Sequence, residues 1–282
     1  MNGQKIIIQI YEVQDPGEAE KLIELGVDHI GSVILSRETW RDPAIREVAR
    51  LTAGTASRSS MIPLFNDLQI VLEVLNYYEP DLIHFCENIP LRTDEKSSRT
   101  RFPEELCKLQ EVVKEKFPKT AIIRSVPIPP AWPGMPPGLQ SELRDGIAAL
   151  VEFFSPVSDF FMTDTVLGVS GGDGSDALQP VAGFVGITGA TCDWELAAWL
   201  VQISPLPVIL AGGLGPENVA AAITRTLPAG VDSCTRTNAL DPQGLPIRFR
   251  KDFIKMNRFV EEVRRAGKYI PRVANLGTAK SI

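Results

Sequence analysis

Eight times along this chain a short run of apolar residues is followed by a longer amphipathic stretch, and that alternation limits its folds more than any other feature. The apolar runs are Lys5 to Ile10, His29 to Ile34, Ser60 to Phe65, Leu82 to Cys86, Thr120 to Val126, Phe160 to Thr163, Pro207 to Leu210 and Gly230 to Ser233. Such short runs are what strands buried on both faces of a parallel sheet require. Helical segments lie between them: Gly17 to Leu25, Pro43 to Leu51, Leu68 to Tyr77, Glu104 to Lys116, Glu142 to Phe154, Trp194 to Ile203, Glu217 to Thr226 and Lys251 to Arg265. In the first of these, Ala19, Leu22, Ile23 and Leu25 share one face, and Gly26 follows as a C-cap. Strands alternating with helices predict parallel βα units, and eight such strands close on themselves. The expected fold is α/β, a single (β/α)8 barrel over residues 1–267 with a C-terminal tail over 268–282.

A chain of 282 residues is long enough for one such barrel with extensions. The net charge of −6, with acids and bases intermixed, excludes the clustered basic face of a nucleic-acid binder. No apolar run approaches the roughly 20 residues that cross a bilayer, and no signal peptide is recognisable at the start, so a cytoplasmic protein without membrane contact is expected. Cys86, Cys107, Cys192 and Cys234 form no C-x-x-C pair, and His29 and His84 are the only histidines. Neither disulfides nor a metal site is expected, and no cofactor is implied.

The segment Val208-Ile-Leu-Ala-Gly-Gly-Leu-Gly-Pro-Glu-Asn-Val219 reads as a strand, a glycine turn and a helix start. Gly212 and Gly213 can take positive φ and let backbone N–H groups close on an anion, while the helix end adds positive potential. The same sequence also suits a tight turn that binds nothing. Three connections are long: Asn88 to Thr100, Pro127 to Gly138 and the Gly-rich Val166 to Ala190. They enlarge the loops after strands 4, 5 and 6, on the barrel face where active sites form, and the last is either a mobile lid or disordered.

Along this frame the motifs resemble phosphoribosylanthranilate isomerase, a TIM-barrel enzyme of tryptophan biosynthesis that performs an Amadori rearrangement. Gln9-Ile-Tyr-Glu-Val-Gln-Asp-Pro-Gly-Glu-Ala19 stands where the family has Lys-Ile-Cys-Gly-Ile-Thr before a helix. Gly26-Val-Asp-His-Ile-Gly31, Leu64-Phe-Asn-Asp67 and Leu82-Ile-His-Phe-Cys-Glu87 are similar to family segments in the same order. Closer likenesses are Met162-Thr-Asp-Thr165, Gly186-Ile-Thr-Gly-Ala-Thr-Cys-Asp-Trp194 and Ala211-Gly-Gly-Leu-Gly-Pro-Glu-Asn-Val219. The resemblance implies a general acid at Asp164, which would protonate a furanose ring oxygen. An aspartate here can also cap a loop. The family's base, a cysteine, aligns with Tyr11. A phenol of pKa near 10 needs strong activation for that task, and a shift of register brings Gln9 or Glu12 there instead; Tyr11 and Glu12 also read as plain loop residues.

The eighth strand reads Asp232-Ser-Cys-Thr-Arg-Thr-Asn238 where the family has Asp-Val-Ser-Ser-Gly-Val-Glu. Thr235, Arg236 and Asn238 supply donors facing Gly212 and Gly213, with Gly189 from the preceding motif, and together they are the expected phosphate site. Arg236 also reads as a surface residue paired with an acid. His84 and Arg37 join the candidate substrate-binding set, His84 with a core role as its alternative. His29 reads as structural, Trp132 as a stacking or surface residue, and Cys86 as a nucleophile or a small core residue. The implied activity is an aldose–ketose isomerisation of a phosphorylated small molecule, with a substrate that can differ from phosphoribosylanthranilate. A phosphosugar lyase or aldolase and a catalytically degenerate phosphometabolite-binding barrel are the alternatives, and a homodimer is one open assembly state.

Overall fold

The structure is a computed structural model that describes residues 4–91, 101–167 and 179–270. Eight parallel strands close a barrel in sequence order: β1 (Ile7–Ile10), β2 (His29–Ile34), β3 (Arg58–Pro63), β4 (Leu82–Phe85), β5 (Ala121–Ile128), β6 (Phe160–Thr165), β7 (Val208–Leu210) and β8 (Gly230–Ser233). Closure is made by β1 pairing with β8, where Gln9 stands opposite Asp232 and Ile10 opposite Ser233. Helices α1 (Pro16–Glu24), α2 (Pro43–Thr52), α3 (Leu68–Tyr78), α4 (Arg101–Lys116), α5 (Pro137–Phe154), α6 (Trp194–Ile203), α7 (Val219–Thr226) and α8 (Phe253–Gly267) alternate with the strands. No helix among the described residues is long and apolar enough to cross a membrane. Residues 92–100, 168–178 and 271–282 lie outside the described residues, and with them fall most of the first long connection, the glycine-rich centre of the third and most of the expected tail.

Aspartates fasten both ends of the barrel. At the N-terminal face, Asp28, Asp81 and Asp159 each stand just before an even-numbered strand and accept the backbone N–H of Ile8, Ser59 and Ile122 on the preceding strand. Donors that a parallel ladder leaves over at its start are thereby satisfied. Asp15, Asp42, Asp67, Asp193 and Asp252 are N-caps of α1, α2, α3, α6 and α8, accepting first-turn N–H groups. A cap of this kind contributes about 1 kcal/mol. They fix where each loop re-enters its helix, and so how wide the C-terminal mouth stands.

The main core lies between strands and helices, where outward-facing Ile8, Ile10, Val126 and Phe161 meet Leu22, Ile147, Leu196 and Phe259. The barrel interior holds a separate apolar set that includes Tyr11, Ile62, Ile123, Met162 and Ile209. One element was absent from the expected pattern: an antiparallel hairpin, β9 (Asn238–Leu240) and β10 (Pro246–Lys251), inserted between β8 and α8. Its turn is made by Asp241, whose Oδ1 accepts from the N–H groups of Gln243 and Leu245. The last helix consequently begins at Phe253 rather than Lys251.

Candidate active site

The C-terminal strand ends surround a cavity. Into it reach Tyr11 after β1, His84 from β4, Asp164 from β6 and Asp232 from β8. The wall between them is apolar, built by Val33, Ile62, Leu64, Met162 and Val185. Tyr11 is 2 % exposed. Its ring lies so close to Gly31 that a Cβ on Gly31 would come within 2.0 Å of Tyr11 Cδ1. The absence of a side chain on β2 is what admits a tyrosine inside the barrel.

A chain of hydrogen bonds crosses the barrel beneath the cavity. Ser60 Oγ and the Tyr11 hydroxyl are 2.7 Å apart, the hydroxyl and His84 Nδ1 3.1 Å, and His84 Nε2 and Ser125 Oγ 2.7 Å. Ser125 donates to Asp164 Oδ2 at 2.5 Å. Burial, assisted by the Arg124 guanidinium, pushes the His84 pKa down to about 3, so the imidazole is neutral and has one donor and one acceptor nitrogen. Because Ser125 gives its proton to Asp164, Nε2–H donates to Ser125 and Nδ1 accepts from the phenol. Ser60 then donates to the phenol oxygen. The network fixes this tautomer.

Among the described residues Asp164 therefore has no cation beside it, although His84 Nε2 lies 3.9 Å from its Oδ2. Burial raises its pKa well above the usual carboxylate range, the Ser125 hydrogen bond lowers it in part, and the charge of Asp232 adds to the rise. With Oδ2 accepting from Ser125, the proton of the acid form belongs on Oδ1. Gly186, at φ +96°, passes so close that a Cβ there would lie 2.7 Å from Oδ1. Asp232 is 5 % exposed and its Oδ1 receives Gln9 Nε2 at 3.3 Å. Burial lifts its pKa to about 7 against the pull of Gln9 and Lys251.

Three loops converge at the other end of the cavity. Gly189 packs against Thr235, and Gly215 against the Arg236 side chain. Gly212 (φ +101°) and Gly213 (φ +56°) press against Thr165, Cys192 and the backbone at Gly189 to Thr191, where any Cβ would clash. Thr163 pins the turn by exchanging hydrogen bonds with Ala211 N and O at 2.7 and 2.9 Å, and Ser233 Oγ donates to Leu214 O across to β8. Gly189, Gly212, Gly213, Thr235 and Arg236 thus line one concave patch. Arg236 is exposed, with Nε 3.4 Å from Gly189 O.

Other candidates lie elsewhere or are already engaged. Glu12 lines the cavity, yet its carboxylate is paired with Arg248 at 2.5 Å and receives Asn238 Nδ2 at 3.3 Å. Its φ of +62° is a strained conformation for a non-glycine residue, costing about 1–3 kcal/mol, which the hairpin holds in place. The Tyr11 phenol is held far from ionisation by burial, its pKa raised well above 10. The expectation of a base at Glu12 or Tyr11 thus meets an ion pair at one and an un-ionised phenol at the other. Two expectations are corrected outright. Arg37 is exposed and bound to Glu38, because the chain leaves the barrel after Ile34. Asn238 is buried under the hairpin between Glu12 and Lys251, away from the cavity lining. Cys86 and Cys234 line the cavity as thiols, both pushed up by burial. His29 bonds Gln9 in the interior, and Trp132 is exposed.

The sequence profile of N-(5'-phosphoribosyl)anthranilate (PRA) isomerase matches residues 177–235, the stretch carrying the Gly186, Gly212 and Asp232 motifs. N-(5'-phosphoribosyl)anthranilate isomerase 1 of Methanosarcina mazei is 27% identical over 271 residues, covering 94% of this chain and 98% of its own. The isomerase of Magnetococcus marinus is 42% identical over 86 residues, covering 30% of this chain and 37% of its own. Phosphoribosyl anthranilate isomerase of Thermotoga maritima superposes with a TM-score of 0.62 at 17% identity, covering 93% of this chain and all (100%) of that one. The chain is thus similar to phosphoribosylanthranilate isomerases along most of its length. Two features stand outside the expected pattern. A buried phenol stands where the resemblance placed a cysteine, and a hairpin covers the side of β1 that carries Glu12. Asp232 and Ser125 went unassigned as site residues, although Asp232 stood inside a quoted motif; a charged residue within a strand interior was the available signal.

Proposed function

We propose that this protein is an aldose–ketose isomerase acting on a phosphorylated sugar with an amino or hydroxyl substituent at C1. The observation that carries the reading is the Asp164 carboxyl: desolvated, with no cation beside it among the described residues, and held by Ser125 on one oxygen, at one end of a cavity whose other end is a glycine-lined anion cradle. A carboxyl whose pKa is raised by burial suits the protonation that opening a furanose ring requires. The cradle of Gly189, Gly212, Gly213 and Thr235 suits a phosphate, with Arg236 at its rim.

The apolar wall and the altered first and eighth strand ends favour a substrate other than phosphoribosylanthranilate. Among the described residues no lysine lines the cavity, which disfavours a Schiff-base aldolase. The test is incubation with phosphoribosylanthranilate and with simple aldose 5-phosphates, followed by NMR for the ketose product. Formation of a ketose supports the reading. Binding of inorganic phosphate without turnover of any of them favours a binding-only barrel.

A further inference from the structure

We propose that Asp232, at the end of β8, is the general base of this site and forms a working pair with Asp164. The proposal rests on the isomerase reading above and assigns the role left vacant by the missing cysteine.

The geometry is that of a neighbour replacing a neighbour. β8 closes the barrel against β1, with Gln9 opposite Asp232, so the Asp232 carboxyl enters the cavity beside Tyr11. Each other proton acceptor on that side is unsuited. Glu12 is bound by Arg248 and Asn238, the Tyr11 phenol donates to His84, and the thiols of Cys86 and Cys234 are held un-ionised by burial. Among the described residues Asp232 has only the Gln9 amide on Oδ1. Lys251, whose charge acts on it, has its ammonium bound to Asn238 Oδ1 at 2.6 Å and to Cys234 O at 3.3 Å, so it moderates the carboxylate without capping it.

The two carboxyls are also coupled. Burial lifts the Asp232 pKa to about 7, and its charge adds to the rise at Asp164. A charge on Asp232 thus favours the acid form of Asp164, the division of labour that paired carboxyls in unlike surroundings provide. The facing titratable groups are Tyr11 on β1, Asp164 on β6, Cys234 on the same loop and Lys251 on the hairpin.

The proton balance closes without a cofactor. Asp164 gives its proton to the ring oxygen as the bond from that oxygen to C1 breaks. Asp232 takes the proton from C2, and the C–H pair becomes the C1=C2 double bond as the C1 substituent regains its lone pair. Asp232 then returns the proton to C1, while the Asp164 carboxylate takes the proton of the C2 hydroxyl, whose electrons form the C2=O bond. Both groups finish as they began.

The test compares wild type with Asp232→Asn and Asp232→Glu, using phosphoribosylanthranilate and aldose 5-phosphates as substrates and inorganic phosphate as a binding probe. Carboxyl NMR of protein carrying [13C]aspartate supplies a readout independent of turnover. The expected results are a carboxyl titrating near 7 that disappears in Asp232→Asn, and turnover lowered by about 10²–10⁴-fold with phosphate affinity unchanged. Partial recovery in Asp232→Glu supports the role. If Asp232 titrates in the ordinary aspartate range, or if Asp232→Asn turns over within about tenfold of wild type, the base assignment is overturned while the isomerase reading stands. A wild-type protein that binds phosphate but isomerises none of these substrates overturns both.

Discussion

Tyr11 and His84 are joined by a hydrogen bond of 3.1 Å in the barrel interior, and the neutral imidazole makes the phenol its donor. Tyr11 therefore acts as the far end of the chain that orients Ser125 and Asp164. Tyr11→Phe leaves His84 Nδ1 and Ser60 Oγ without their buried partner, at an expected cost of about 1–3 kcal/mol in urea unfolding. Turnover in this variant is expected to stay well above the roughly 10²–10⁴-fold loss that removal of a base produces. A loss of that size, without a change in stability, would make the phenol itself the base.

Gly31 and Tyr11 share one space. Gly31→Ala is expected to displace the Tyr11 ring and destabilise the protein by about 1–3 kcal/mol as an overpacked core. In a Tyr11→Cys background the same change should cost little. Equal costs in both backgrounds, measured as a double-mutant cycle, would show that the two side chains are not coupled.

Asp232 gives stability a defined dependence on pH. Its folded pKa of about 7 lies above the unfolded value near 3.9, so between those values the folded state holds more protons than the unfolded one. Stability attributable to this group falls as pH rises through that window. Asp232→Asn removes the titration, and is expected to gain stability relative to wild type between pH 4 and pH 8. A difference between the two proteins that does not change with pH would contradict the raised pKa.

Much of this architecture was legible in the residues, and the exceptions have physical reasons. The barrel strands are short apolar runs set between amphipathic helices, and β2 and β8 agree at both ends with the runs read from sequence. Asp164 was visible as a carboxyl closing an apolar strand. The β9–β10 hairpin was not read, although Ile247 and Phe249 alternate with Arg248 and Arg250 after Asp241-Pro-Gln-Gly244, because one half-buried two-stranded ribbon carries a weak signal. Without that hairpin Glu12 looked free, since its partner Arg248 lies 236 residues away along the chain. Ser60 and Ser125 carry no mark in sequence. Their roles come from the barrel bringing β1, β3, β4, β5 and β6 around one interior.

Outside the barrel wall, Arg124 is fully buried and binds Glu87 Oε2 at 2.5 Å and Gln110 Oε1 at 2.7 Å. Glu87 also bridges to Phe184, two residues before Gly186, so the pair anchors the loop lying against Asp164. Arg124→Met leaves Glu87 buried and unpaired, an expected loss of about 3–5 kcal/mol. Adding Glu87→Gln should recover much of it. A single variant within about 1 kcal/mol of wild type would contradict a desolvated pair.

The most direct test of the account is ketose formation, followed by NMR, when phosphoribosylanthranilate or an aldose 5-phosphate meets wild type or Asp164→Asn, each first shown to be folded and to bind inorganic phosphate. Wild type is expected to isomerise at least one of these substrates and Asp164→Asn none, with no lower melting temperature and little change in phosphate affinity. Equal rates from the two proteins would contradict the acid role. A melting temperature that collapses in the variant would make Asp164 a structural residue.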